Sequence, residues 1–190
     1  MTQVCLVGNR EVNLRYELLS RETARDALAT YDLREPFENT VVVETVSLGA
    51  AVALLNDLNW YLVRFTRDTF VREASVSEEE WLSRKLAAAV RDDELTPEET
   101  ERFLKIYGVA TDEGSENDFE SDDEAAGPEN DEGAEDDAPP EPATESPPEL
   151  VEPMYVTRTG PELPEYDLRD VDETLVVRVT EDEFGGEKQR

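Results

Sequence analysis

Apolar and polar positions divide the chain into three stretches of different character. In residues 1–110 apolar runs alternate with helical stripes, in 111–150 apolar side chains nearly vanish, and in 151–184 short alternating runs return. TQVCLVG, Thr2 to Gly8, is apolar and β-branched, which predicts a buried strand stopped at Gly8-Asn9. Leu14, Leu18, Leu19, Ala24, Ala27, Leu28 and Tyr31 then recur near a helical period, in one helix or in two pieces with Ser20 as a cap. Pro36 ends that pattern because it cannot continue a helix. TVVVETV from Thr40 predicts a second strand, Ser47 stands where a helix N-cap belongs, and LGAAVALLNDL predicts a short buried helix. NWYLVRF, Asn59 to Phe65, predicts a third strand, TRDT a turn, and FVRE an edge strand.

Two start signals follow. Ser77 with Glu80 forms a capping box ahead of an apolar face made by Trp81, Leu82, Leu86, Ala89 and Val90. Thr96 with Glu99 forms another, with Pro97 in the first turn. Phe103, Ile106 and Tyr107 then sit at i, i+3 and i+4, predicting a helix that Gly108 stops. Beyond the polar stretch, Met154–Thr159 and Glu173–Phe184 read as two strands of a hairpin, with residues 160–172 between them as a loop. Two strands are marginal alone and need a sheet to join.

The expected fold class is therefore α/β (or α+β): a small mixed sheet with flanking helices in residues 1–110, a disordered acidic linker over 111–150, a C-terminal β-hairpin over 151–184 that docks on that sheet, and a disordered tail over 185–190. The linker assignment follows from composition. Residues 111–150 carry 17 acidic residues and no base, so they cannot bury enough apolar surface to offset chain entropy. A flexible chain of that length spans roughly 35 Å, enough to carry the hairpin to any edge of the first domain. The competing reading is an acidic arm for a basic partner, which strong salt would screen.

Charge changes the picture of the habitat. Asp and Glu number 48 against 18 Lys and Arg, a net charge of -30. Only three of the bases are lysine, Lys85, Lys105 and Lys188, and Ile106 is the lone isoleucine. At molar salt the Debye length is about 3 Å, so excess carboxylates repel little while keeping the surface hydrated. The pattern is that of a salt-adapted cytoplasmic protein. No apolar run approaches a membrane span and no signal peptide is visible, so no membrane partner is expected.

Composition also excludes chemistry. With no histidine, Ser-His-Asp and Cys-His catalysis and histidine metal sites are ruled out. The lone Cys5 excludes an internal disulfide and lies in an apolar run as a small hydrophobe. The acid runs at 92–94 and 181–183 lack calcium-loop spacing and read as solvated surface. No catalytic residue, metal or cofactor is predicted. The arginines at 10, 15, 21, 25, 64, 67 and 72 are interleaved with acids and read as ion-paired faces, so no nucleic acid is expected. Trp60, Tyr61, Phe65 and Trp81 are core or interface anchors, and any one left exposed marks a partner surface.

One anion site is worth naming. If the first three strands run parallel, Gly8, Asn9 and Arg10 share a sheet edge with Ser47 and Gly49, where open α/β sheets bind ligands. The plain alternative is that Gly8 turns and Ser47 caps.

The stretch YELLSRETARDALATYDLREPFENTVVVETVSLGAAVALLNDLNWYLVRF resembles a family of small haloarchaeal proteins of unknown function, over roughly residues 1–95. The resemblance implies a compact N-terminal domain and a salt-rich habitat, and no activity. The leading expectation is a non-enzymatic interaction or regulatory module whose hairpin adds strands to a sheet edge, in cis or on an unknown protein partner. The alternative is a small-ligand or phosphometabolite-binding domain, with a histidine-independent enzyme as one form of it. Oligomeric state is left open.

Overall fold

Strand β1 (Thr2–Gly8) is apolar on both faces because both are covered, and the rest of the molecule is laid out around it. The computed structural model describes residues 1–111, 146–171 and 173–186. After β1 come α1 (Leu14–Leu19), α2 (Glu22–Leu28), β2 (Thr40–Thr45), α3 (Leu48–Asp57), α4 (Asn59–Phe65) and β3 (Thr66–Glu73). Then follow β4 (Trp81–Ser83), α5 (Arg84–Arg91), a short 3-10 turn (Pro97–Thr100), β5 (Phe103–Ala110), β6 (Glu149–Thr157), β7 (Glu173–Arg178) and α6 (Glu181–Gly186). The strands form one mixed sheet in the order β2-β1-β3-β4-β7-β5-β6, so the chain is a mixed α/β protein.

Every neighbouring pair is antiparallel except β4 with β7, which are parallel over Trp81↔Val177 and Leu82↔Arg178. That short junction joins two halves, β2-β1-β3-β4 and β7-β5-β6. Helices α1 to α5 pack on one face of the first half, against Val4, Leu6, Val41, Val43, Val71 and Leu82. The sheet folds over so that the opposite face meets the second half: Cys5, Val7, Val42 and Phe70 pack with Tyr107, Leu150, Leu175 and Val177. The Phe70 and Tyr107 rings are 5.6 Å apart although β3 and β5 are not neighbours in the sheet. On the outward face of the second half, Leu104, Ile106 and Val176 are covered by Met154, Val156 and Tyr166.

Several local expectations change, each for a packing reason. Asn59–Phe65 is helical, not extended, because Leu58 and Leu62 face the core one turn apart and Tyr61 and Phe65 pack beside them. The aromatic and β-branched composition favoured a strand, and the helical spacing of the buried positions prevailed. TRDT is the first half of β3 rather than a turn. The Ser77 hydroxyl does accept the Glu80 amide at 3.0 Å, but no helix follows there. Trp81–Ser83 extends to bridge the sheet halves, and α5 starts on the next cap, where Ser83 accepts the Leu86 amide at 3.2 Å. Thr96 and Glu99 form their capping box around a single 3-10 turn.

Phe103–Ala110 is a strand between β6 and β7. Its helix-like stripe is also a strand alternation, with Leu104 and Ile106 to one side and Tyr107 and Val109 to the other. Gly108 therefore stops nothing. It sits mid-strand because a Cβ there would lie 2.8 Å from both the Tyr166 ring and Val151. Ser20 is the C-cap of α1 rather than the N-cap of the next helix.

Both C-terminal strands are present, with β5 lying between them, so each pairs with β5 along its length. The acidic tail of the second one is a separate helix, α6, started by Thr180 and Glu183. The Thr180 hydroxyl accepts the Glu183 amide at 3.2 Å, and the Glu183 carboxylate accepts the Thr180 amide at 2.8 Å. Of the expected tail, residues 185 and 186 belong to α6, and 187–190 lie outside the described residues. The acidic linker falls largely on 112–145, outside the described residues.

Candidate functional site

The loop residues expected to form one anion site are placed apart. That site required parallel strands, and β1 pairs antiparallel with β2, with Val7 opposite Thr40 and Thr2 opposite Thr45. Gly8, Asn9 and Arg10 therefore lie at one end of the sheet and Ser47 and Gly49 at the other. At the first end Asn39, in the left-handed region at φ 51, donates to the carbonyls of Asn9 and Val12 and accepts the Leu14 amide. A Cβ on Gly8 would sit 2.5 Å from that Asn39 side chain, so Gly8 is glycine to admit it. At the other end the Ser47 hydroxyl accepts the Ala50 amide at 3.2 Å and caps α3. Arg10 lines a polar hollow with Arg15, Glu35 and Glu38 at the Asn39 end.

The face between the two half-sheets holds the more informative geometry. At one mouth a groove of about 390 Å³ runs between β1, β2 and β3 on one side and β5 and β7 on the other. Its apolar lining is Phe37, Val42, Trp81, Val109 and Leu175, and Gln3, Arg34, Arg72 and Thr174 add polar groups. Trp81 is only 7% exposed and is placed by β4, the strand that joins the halves. Arg72, from β3, lays its guanidinium 4.9 Å from the centre of the Trp81 ring. Arg72 also donates to the side-chain oxygen of Gln3 on β1, while Gln3 donates to Glu44 at 3.0 Å. Hydrogen bonds from Gln3 and Arg34 hold the Glu44 carboxyl below its ordinary value. Arg34, at the rim, pairs with Glu44 at 2.8 Å. Glu79 and Glu173 also lie on the rim, both exposed.

The other mouth is a polar cavity of about 590 Å³ lined by Arg67, Asp68, Lys85, Lys105 and Tyr155, among others. Here Asp68 on β3 takes hydrogen bonds from both Lys105 and Tyr107 on β5 through the same oxygen. Burial, then the Asp68 charge and hydrogen bond, push the Tyr107 hydroxyl far above its usual value, so it stays a donor. The buried Cys5 thiol is pushed up to about 12, by burial and then by Asp68, and is no nucleophile. Asp68 is thus satisfied by its partners, and the cluster ties one half-sheet to the other.

A second tie lies at the junction. Glu80 accepts from Arg178 of β7 at 2.5 Å through one oxygen and from Arg158 through the other. Arg178 is 4% exposed and also donates to the Thr100 hydroxyl at 2.9 Å. Burial alone would raise the Glu80 carboxyl, but the two guanidiniums outweigh it and hold it below its ordinary value.

The arginines expected as ion-paired faces divide. Arg15 and Arg21 pair with Glu35 and Glu17. Arg67 and Arg72 instead rest on the rings of Tyr107 and Trp81, and among the described residues neither forms an ion pair. Gln3 and Phe37 were not singled out by sequence, and Arg72 was expected only as part of an ion-paired face, because each shares the groove only through long-range pairing. Trp81 carried a signal, being an aromatic just before an N-cap serine. Trp60 is 53% exposed, with the guanidiniums of Arg64 and Arg21 at 4.8 and 6.0 Å from its ring. One acid of each run has a protein partner: Asp92 pairs with Arg91, and Glu183 accepts from the hydroxyls of Thr180 and the distant Ser83. Among the described residues no helix is long and apolar enough to cross a membrane.

The chain belongs to a family of unknown function, DUF5804, whose model matches residues 2–109. The matched stretch runs from β1 into β5, and β6, β7 and α6 lie beyond it. No curated protein and no solved structure matches the chain.

Proposed function

We propose that this member of a family of unknown function is a non-enzymatic regulatory module of a salt-rich cytoplasm, and that it binds a small ligand in the groove between its half-sheets. One observation carries the reading: the walls come from both halves, Val42 and Arg72 on one side and Val109 and Leu175 on the other, with Trp81 at the joint. A ligand held there touches strands that precede and follow the acidic run, so its binding free energy adds to the docking of the C-terminal strands. At a hundred times Kd that addition is about 2.7 kcal/mol. The groove volume lies within the range of about 300–1,000 Å³ typical of small-molecule sites, and such sites are mostly apolar with a few placed polar groups. The salt-rich setting is supported by 48 acidic residues against 18 basic ones, and the reducing cytoplasm by a single buried thiol.

The test is hydrogen exchange on the full-length chain in multi-molar KCl, against a panel of small acids, alcohols and amines with aromatic or aliphatic bodies. A true ligand slows exchange at 81–83 and 173–178 more than in α1 and α2. If no compound does so, the groove is not a binding site.

A second reading has one observation behind it. Among the described residues β6 ends the sheet and pairs only with β5, so a partner strand has an edge to add to. Pro153 lies on that strand and removes one donor, as on many protected edges.

A further inference from the structure

We propose that the ligand of this groove is a flat apolar monoanion, an aromatic carboxylate in the simplest case, with its acid group on Arg72 and its ring against Trp81. The inference rests on the ligand-binding reading above and names the ligand class.

The groove holds an unbalanced charge. Of the two arginines that line the groove, Arg34 is paired with Glu44 and Arg72 is not paired with a carboxylate among the described residues. Arg72 forms no ion pair among the described residues; its contacts are the neutral Gln3 oxygen and the face of Trp81. The position is not one that acids fail to reach, since Glu44 lies one side chain away and is held off by Gln3, which donates to it at 3.0 Å. Gln3 and Trp81 thus fix the guanidinium while leaving its Nε and Nη1 without an acceptor among the described residues. A planar fork held in place with free donors is the arrangement that receives a carboxylate.

The rest of the groove sets the body of the ligand. Beyond Arg72 the lining includes Trp81, Phe37, Val42, Val109 and Leu175, which offer aromatic and aliphatic contact, beside polar groups from Gln3, Arg34 and Thr174. Such walls bind a ring by area and by offset or edge-on stacking. The rim sets the charge. Glu79 and Glu173 are exposed at the mouth, and high salt weakens their repulsion of a single charge. They act twice as strongly against a dianion, so phosphate monoesters are disfavoured relative to carboxylates.

The experiment uses the full-length chain with Trp60→Phe, which leaves Trp81 as the sole tryptophan reporter. Benzoate, benzyl alcohol and benzylamine present the same ring with negative, neutral and positive heads. Each is titrated in multi-molar KCl against Trp81 emission and against exchange at 173–178. The expected result is saturable binding of benzoate about tenfold tighter than benzyl alcohol, the size of one charge-assisted hydrogen bond, and weakest binding of benzylamine. Arg72→Ala removes the preference for benzoate. Gln3→Glu does the same without deleting any group, because it places a carboxylate on Arg72, and circular dichroism confirms that both variants fold. Equal binding of the three compounds overturns the proposal, as does a benzoate preference that survives both substitutions. If none of the three binds while another panel compound slows exchange at the groove, this ligand class falls and the binding reading stands. If no compound of the panel acts, both fall together.

Discussion

The two half-sheets are built on different principles. The first, β2-β1-β3-β4, is backed by five helices whose apolar stripes fill one continuous core. The second, β7-β5-β6, has no helix packed on its outward face among the described residues, where Tyr166 packs beside Met154 and Val156 of β6. Its inward face meets the first half, and polar groups mark that contact: Asp68 with Lys105 and Tyr107, Glu80 with Arg178 and Arg158, and Arg67 donating to the Leu150 carbonyl at 2.7 Å. The first half coheres by burial, which is non-directional. The second is held in one register by directional ties, and a groove remains where the two faces diverge. A site at such a joint is sensitive to whatever loosens the second half.

The largest test of this contrast is Glu80→Ala. It leaves the buried Arg178 without its principal carboxylate, and breaking a buried pair in this way costs about 3–5 kcal/mol. Urea unfolding should show that loss, and exchange should rise first in β5, β6 and β7. Uniform acceleration across α1 to α5 as well would show that the halves unfold as one unit.

Acid probes the same tie without a mutation. The folded Glu80 carboxyl titrates below its ordinary value of 4.5. Its contribution is therefore fully present above the unfolded value and is lost as pH falls through the folded one. Thermal stability of the wild type should drop in that acid window, and Glu80→Gln should flatten the drop while lowering stability at neutral pH.

Gly108→Ala tests the cover of the second half. The added Cβ meets the Tyr166 ring and Val151 at 2.8 Å, and overpacking of this kind costs about 1–3 kcal/mol. Tyr166→Ala in the same chain should recover part of that cost, measured by a double-mutant cycle. Smallest is Ser47→Ala in the first half, a lost cap worth about 1 kcal/mol, with no change in exchange at β7.

These expectations also show what could be read from the chain alone. Strands β1 and β2, the cap at Ser47 and helix α3 were legible because each is specified by residues within a few positions of one another. The mixed α/β class and the two C-terminal strands followed from the same local periodicity. The capping box at Thr180 was equally local, and an acidic neighbourhood hid it among other acids. The groove was not legible. Its residues at positions 3, 37, 72, 81, 109 and 175 come from separate elements, and none forms a motif with another.

By itself the sequence determined composition, charge, the absence of histidine chemistry, and those elements whose apolar period admits a single reading. Tertiary structure decided the rest. Phe103–Ala110 satisfies both a helical and an extended period, and β6 and β7 choose between them by pairing with its two edges. Asn59–Phe65 has a strand's composition, and the core under Leu58 and Leu62 makes it a helix. Strand direction was likewise undetermined, and the antiparallel β1–β2 pair sends Gly8 and Ser47 to opposite ends. Local pattern fixes which face of a segment is apolar, whereas the partner that buries that face, distant in sequence, selects the conformation.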